Sequence, residues 1–232
     1  MIKVAPIQSW IGKQGPFVFS VYAIFFAFMT YFSMYAFRKP FSAATFKDQS
    51  PVVLPWLGSL VEAVDYKIML IIAQVIGYML SKFSGIKFIS EVTGKGRATF
   101  ILALILFAQL SLLGFALTPA PYNIPFLFLN GIPLGMVWGL VFGFLEGRRM
   151  SEALGAGLSA SYIVASGFVK TVGRMLLDAG ISAFWMPFLT GLLFLPILII
   201  CVFFLDQLPP PNKEDIALRT ERRPMNGQER LR

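Results

Sequence analysis

Histidine is absent from the chain, and Cys201 is its single cysteine. No disulfide can form within the chain, and no Cys/His site for zinc or haem can be assembled. The same absences remove most nucleophile–histidine chemistry, a serine–histidine dyad and the HExxH zinc pattern among it. Charge is scarce as well: 14% of the 232 residues are charged, against about 25% in a soluble domain. No GxxxxGK[ST] loop is present to cradle a phosphate, which argues against ATP-driven work by this chain alone. Asp65 and Asp178 fall near the ends of apolar runs rather than facing each other inside them, so a paired-aspartate protease is not expected. No enzyme, cofactor or metal is expected. The opening MIKVAPIQSWIGKQG lacks a small-residue cleavage site, so the apolar run behind it should stay in the mature chain.

What fills the chain is hydrocarbon. Hydrophobic residues make up 56% and phenylalanine alone supplies 24, with a mean hydropathy of +0.71. That excess cannot be buried in a water-soluble domain of this size, so the class is an all-α polytopic membrane protein. A helical span needs about 20 mostly apolar residues, and six stretches qualify. They are Pro16 to Phe37, with an extension to Phe46 open; Tyr66 to about Ile89; Ala98–Leu117; Tyr122–Leu145; Ser151–Leu177; and Ala183–Leu205. The segment Pro51–Asp65 reads as an amphipathic stretch leading into the second span.

The net charge of +8 comes from 20 basic and 12 acidic residues. In so apolar a chain, basic cytoplasmic loops explain it better than nucleic acid. With the N-terminus inside, fourteen Lys and Arg fall on the inner side and six on the outer, which favours both ends inside. The expected organisation is a cytoplasmic segment over 1–15, a six-helix bundle over 16–205, and a charged, proline-rich cytoplasmic linker or tail over 206–232. A bacterial inner (plasma) membrane is the expected location.

Small residues mark the packing faces. The fourth span carries Gly131, Gly135, Gly139, Gly143 and Gly147 at intervals of four. The second repeats the idea with Ala73, Gly77, Ser81 and Gly85, and the fifth is rich in glycine and serine. In lipid such rows let helices approach closely. Pro133, Pro187 and Pro196 are expected to bend their spans.

Charges inside spans are costly, about 2.5–3.5 kcal/mol at the centre, and so point to function. Lys170 and Arg174 lie four apart on one face of the fifth span, with Asp178 a turn further on. An anion between the two cations is one reading, and an Arg174–Asp178 pair is the other. Arg38 is an interface anchor together with Lys39 if the first span stops at Phe37. If the helix runs on to Phe46, Arg38 faces a polar cavity. Lys82 sits late in the second span beside Tyr78. Three helices thus supply cations without an equal set of buried acids, and an anionic ligand would balance them. Glu146, at the inner end of the fourth span, is expected to pair with Arg148 or Arg149.

The run Tyr35-Ala-Phe-Arg38-Lys39-Pro-Phe41-Ser42 resembles the first-helix signature of organophosphate:phosphate antiporters. Tyr78-Met-Leu-Ser81-Lys82-Phe83 with Gly85 is similar to their second-helix pattern. Those antiporters belong to the major facilitator superfamily, two six-span halves joined by a cytoplasmic linker. Leu145-Glu146-Gly147-Arg148-Arg149 with Ala-Ser-Gly-Phe-Val-Lys170 also looks like an uncharacterised bacterial group of facilitator-like membrane proteins. The resemblance implies a major-facilitator-like half bundle, with Arg38 and Lys82 binding a phosphate and Tyr35 and Tyr78 as hydrogen-bond partners. It also implies an inner gate, to which Glu91, Lys95 and Arg97 are the approximate match.

The function expected is a secondary transporter, or its N-terminal half, moving a small anionic solute such as an organophosphate or carboxylate by alternating access. The candidate binding residues are Arg38, Lys82, Lys170, Arg174, Tyr35 and Tyr78. The candidate gating residues are Glu91, Lys95, Arg97, Glu146, Arg148 and Arg149. The expected partners are the solute, the lipid bilayer and a second six-helix half, whether the remainder of a longer chain or a second copy. A membrane sensor or scaffold that keeps the facilitator fold is the alternative.

Overall fold

Each apolar run folds as one helix, because in hydrocarbon a segment must satisfy its own backbone groups. The computed structural model describes residues 4–53, 63–91, 96–148 and 151–211, with the backbone alone at 84 and 86–91. A short α1 (Ala5–Gly12) precedes α2 (Pro16–Met34), which ends in two 3-10 turns, Tyr35–Phe37 and Pro40–Ala43. Then come α3 (Tyr66–Glu91), α4 (Arg97–Leu117), α5 (Ile124–Phe142), α6 (Ser151–Asp178) and α7 (Met186–Asp206). The six helices α2 to α7 are long and apolar enough to cross a membrane. This is a six-helix polytopic bundle.

Several boundaries differ from expectation. The first span neither stops cleanly at Phe37 nor runs on as α-helix to Phe46. It unwinds. The fourth was expected to reach Leu145, but α5 ends at Phe142 and continues as hydrogen-bonded turns, with Leu145 N–H and Glu146 N–H both donating to the Phe142 carbonyl. Pro187 does not bend a span; it stands in the first turn of α7, where its missing N–H costs nothing. Pro133 and Pro196 do lie inside helices. Of the expected amphipathic stretch, Val52 and Val64 pair in an isolated antiparallel bridge, and 54–62 lie outside the described residues. So do Lys95, Arg149 and tail residues 212–232.

The glycine rows set the helix packing. A Cβ on Gly77 would strike the Phe128 carbonyl oxygen, and one on Gly131 would strike the carbonyl of Gln74 and stand 2.9 Å from the amide nitrogen of Tyr78. At Gly135 it would meet the Ser81 hydroxyl and, at 2.6 Å, the Tyr78 carbonyl. The α3 and α5 backbones are therefore in direct contact. α4 packs on α5 and α7, while α2 packs on α6, α7 and α5. α3 and α6 make no substantial contact with each other, so the end of α2 lies between them.

Both ends of the bundle chain lie on one side, here the near end. Tyr22 of α2 donates to the Phe204 carbonyl of α7 at 2.9 Å, and Val4 N–H donates to Gln207 Oε1 at 2.8 Å. The far end, where α2 unwinds, is closed by rings from five segments: Phe41, Phe46, Tyr66, Phe115 and Phe184. Tyr66 buries its hydroxyl there by donating to Asn123 Oδ1 at 2.6 Å.

Candidate functional site

The site is built on the unwound end of α2. After Met34 the chain tightens, and Arg38 N–H and Lys39 N–H both donate to the Tyr35 carbonyl, at 3.1 and 2.9 Å. Pro40 has no N–H to return to the preceding turn. Side chains from other helices donate in its place. Asn130 of α5 donates Nδ2 to the Phe37 carbonyl at 3.1 Å and to the Ala108 carbonyl of α4 at 3.1 Å. Gln74 of α3 donates Nε2 to the Arg38 carbonyl at 3.0 Å and to Asn130 Oδ1 at 2.8 Å. Both carboxamides are buried. Two side chains thus tie four helices around one turn, which is how irregular backbone is tolerated at membrane depth.

That turn aims Arg38 into the bundle. Its guanidinium carbon lies 3.9 Å from the centroid of the Tyr78 ring, at the midpoint of α3, and 5.9 Å from that of Tyr35. The residue is half-buried, and its Nε is buried without a hydrogen-bond partner. Lys82 Nζ lies 5.1 Å from the same Tyr78 ring. Tyr31 is buried one turn before Tyr35, and its ring stacks edge-on against Tyr35 at 5.6 Å. Tyr31, Tyr35 and Tyr78 all lie within electrostatic reach of one another or of Arg38.

Lys39 turns the other way, towards α6. Its ammonium is held below the usual lysine range, first by burial and then by the positive charges of Arg38 and Lys170. Gly173 of α6 packs beside this turn, where an added Cβ would meet Pro40 Cβ at 3.4 Å. Lys170 is one helical turn deeper and exposed. Among the described residues, no carboxylate pairs with Arg38, Lys39, Lys82 or Lys170.

A family model described as a family of unknown function, DUF5690, matches residues 40–232. That is most of the chain. The chain belongs to this family. The match takes in Tyr78, Lys82 and Lys170 of the DUF5690 chain and begins just after Lys39. No curated protein and no solved structure matches.

Not every expected site residue joins this cluster. Arg174 donates Nε to Asp178 Oδ1 at 3.0 Å, on an exposed face, so it is neutralised by its own helix. At the near end, Arg97 donates to the Gly143 carbonyl at 2.5 Å, lies over the Phe144 ring and feels the charge of Glu146. Arg148 donates Nη2 to the Pro209 carbonyl at 2.6 Å and Nε to the Phe144 carbonyl at 3.3 Å, over the Phe19 ring. These two arginines fasten loops within this bundle. Glu91 ends α3, its side chain outside the described residues with Lys95 and Arg149.

Sequence reasoning missed Gln74, Asn130, Tyr31 and the role of Lys39. Gln74 and Asn130 did carry a signal, since buried polar side chains within apolar spans mark function or a structural bond. Lys39 carried none beyond its adjacency to Arg38.

Proposed function

We propose that this protein is a secondary transporter, or the N-terminal half of one, that binds a small anionic solute at Arg38 and moves it by alternating access. One observation carries the reading. Arg38 is held over Tyr78 by a buried bond network, yet its Nε has no partner, and no described carboxylate pairs with it. An arginine whose charge the protein does not neutralise in a low-dielectric site gains most from a bound anion. Its planar fork favours phosphate or carboxylate over halide.

The resemblance of the Arg38 and Lys82 segments to organophosphate:phosphate antiporters supports the same reading. Lys82, Tyr162 and Lys170 are exposed along the open side between α3 and α6. A second six-helix unit covering that side would complete a cavity near the midplane. The excess of basic residues at the near end supports a cytoplasmic location for both ends, in a bacterial inner membrane.

The test is uptake of labelled phosphate and labelled succinate into vesicles reconstituted with the natural, full-length protein. Loss with Arg38→Ala and partial loss with Tyr78→Leu are expected. Uptake of either anion that is equal in wild type and both variants would sink the Arg38 site. Anion binding without uptake would favour the sensor alternative.

A further inference from the structure

Arg38 and Lys39 are adjacent in the chain but address different helices. Arg38 lies on the α3 side, over Tyr78 and close to Lys82. Lys39 lies on the α6 side, within the field of Lys170. α3 and α6 make no substantial contact, so the turn holds two pairs of cations apart on either side of itself. A single compact anion on one pair leaves the other repelling itself. Like charges in a half-buried site each cost free energy unless each pair is neutralised.

Lys170 is also deep. It lies eight residues before the end of α6 at Asp178, roughly 12 Å along the axis at 1.5 Å per residue. It sits one turn below Gly173, the residue that meets Pro40. Arg174, a turn nearer that end, is already answered by Asp178. Lys170 has no such answer on its own helix. The far-end cations are therefore of two kinds, and the unneutralised one borders the site.

We propose that the solute carries two separate anionic groups, one held by Arg38 and Lys82 beside the Tyr78 ring and the other between Lys39 and Lys170. An α,ω-dicarboxylate or a phosphorylated carboxylic acid has this chemistry. The proposal rests on the anion-binding reading above and narrows it to a class of solute.

The experiment is calorimetric titration of the natural, full-length protein in phosphatidylcholine nanodiscs. The probes are butyrate, inorganic phosphate and the dicarboxylates from succinate to suberate. One dicarboxylate length should bind about tenfold or more tighter than butyrate, the size of one added ionic contact in a partly buried site. Lys170→Met should shrink that preference to within about threefold while leaving butyrate affinity unchanged, and Lys170→Arg should restore it. Lys170 is exposed, so the fold should survive; an unchanged melting temperature checks this.

Equal affinity for butyrate and every dicarboxylate, with both lost in Arg38→Ala, would overturn the two-group proposal and leave the anion site standing. Insensitivity of all probes to Arg38→Ala would remove the anion site itself. The titration is repeated with phosphatidylglycerol in the nanodisc. A dianion preference abolished there would assign the Lys39–Lys170 pair to a lipid headgroup and overturn the proposal.

Discussion

Asn130 closes the end of a helix to which it does not belong. From within α5 it donates to the Phe37 carbonyl, in the turn that ends α2, at 3.1 Å. With Gln74 it replaces the backbone donor that Pro40 lacks, and so fixes the direction in which Arg38 leaves the turn. The charged group of the candidate site is thus positioned by two uncharged side chains on other helices.

Removing that support is costly. Asn130→Leu leaves the Phe37 and Ala108 carbonyls and a Gln74 amide hydrogen without their partner. Each buried group left unpaired costs about 1–3 kcal/mol, so a loss of roughly 3 kcal/mol or more is expected in reversible SDS unfolding. Gln74→Leu should cost less, since Asn130 still holds Phe37. A double-mutant cycle should give a coupling of about 1 kcal/mol or more, because the two amides bond directly.

The glycines separate close packing from mere small size. Gly131→Ala drives a methyl into the backbone of Gln74 and Tyr78, and neither helix can yield without moving. It is expected to destabilise the bundle by about 1–3 kcal/mol, the usual cost of overpacking. Gly167 lies in α6 with nothing near its added Cβ. Gly167→Ala should stabilise by up to about 1 kcal/mol through helix propensity alone. Unfolding of the two variants side by side checks the contrast.

How much of this could be read in the chain divides along a physical line. The spans were legible because hydrocarbon demands long apolar runs, and α3, α4, α6 and α7 begin or end within about three residues of expectation. The small-residue faces were legible because Gly77, Gly131 and Gly135 repeat at helical spacing. The break at the end of α2 was half legible: Pro40 forbids a regular helix, but what holds the broken turn lies on α3 and α5. The Arg174–Asp178 pair is local, one turn apart, and so was one of two readings available from spacing. The approach of Lys39 to Lys170 joins distant segments, and no periodicity within either reports it.

The near end offers a separable test. Arg148 grips the Pro209 carbonyl and lies over Phe19, so it pins the start of the chain that follows α7. Arg148→Met removes charged hydrogen bonds worth about 1.5–3 kcal/mol each. Limited proteolysis around residues 207–211 should then be at least about tenfold faster, with anion binding at Arg38 unchanged. Loss of both together would mean that the two ends of the bundle are energetically coupled.

Lys39 gives the site a pH signature with a definite sign. Burial and the charges of Arg38 and Lys170 lower its proton affinity, so it releases its proton below the ordinary lysine value of 10.5. The unfolded chain holds that proton to higher pH, so between the folded and unfolded values Lys39 makes stability rise with pH. Anion binding should run the opposite way. A bound anion favours the charged ammonium, so binding and protonation support each other, and affinity should fall as pH rises through the folded value. Lys39→Arg keeps its charge throughout this range. Dicarboxylate affinity should therefore decline at alkaline pH in the wild type and stay flat in Lys39→Arg. A decline of equal size in both would place the titrating group elsewhere, and a flat wild-type profile would remove Lys39 from the site.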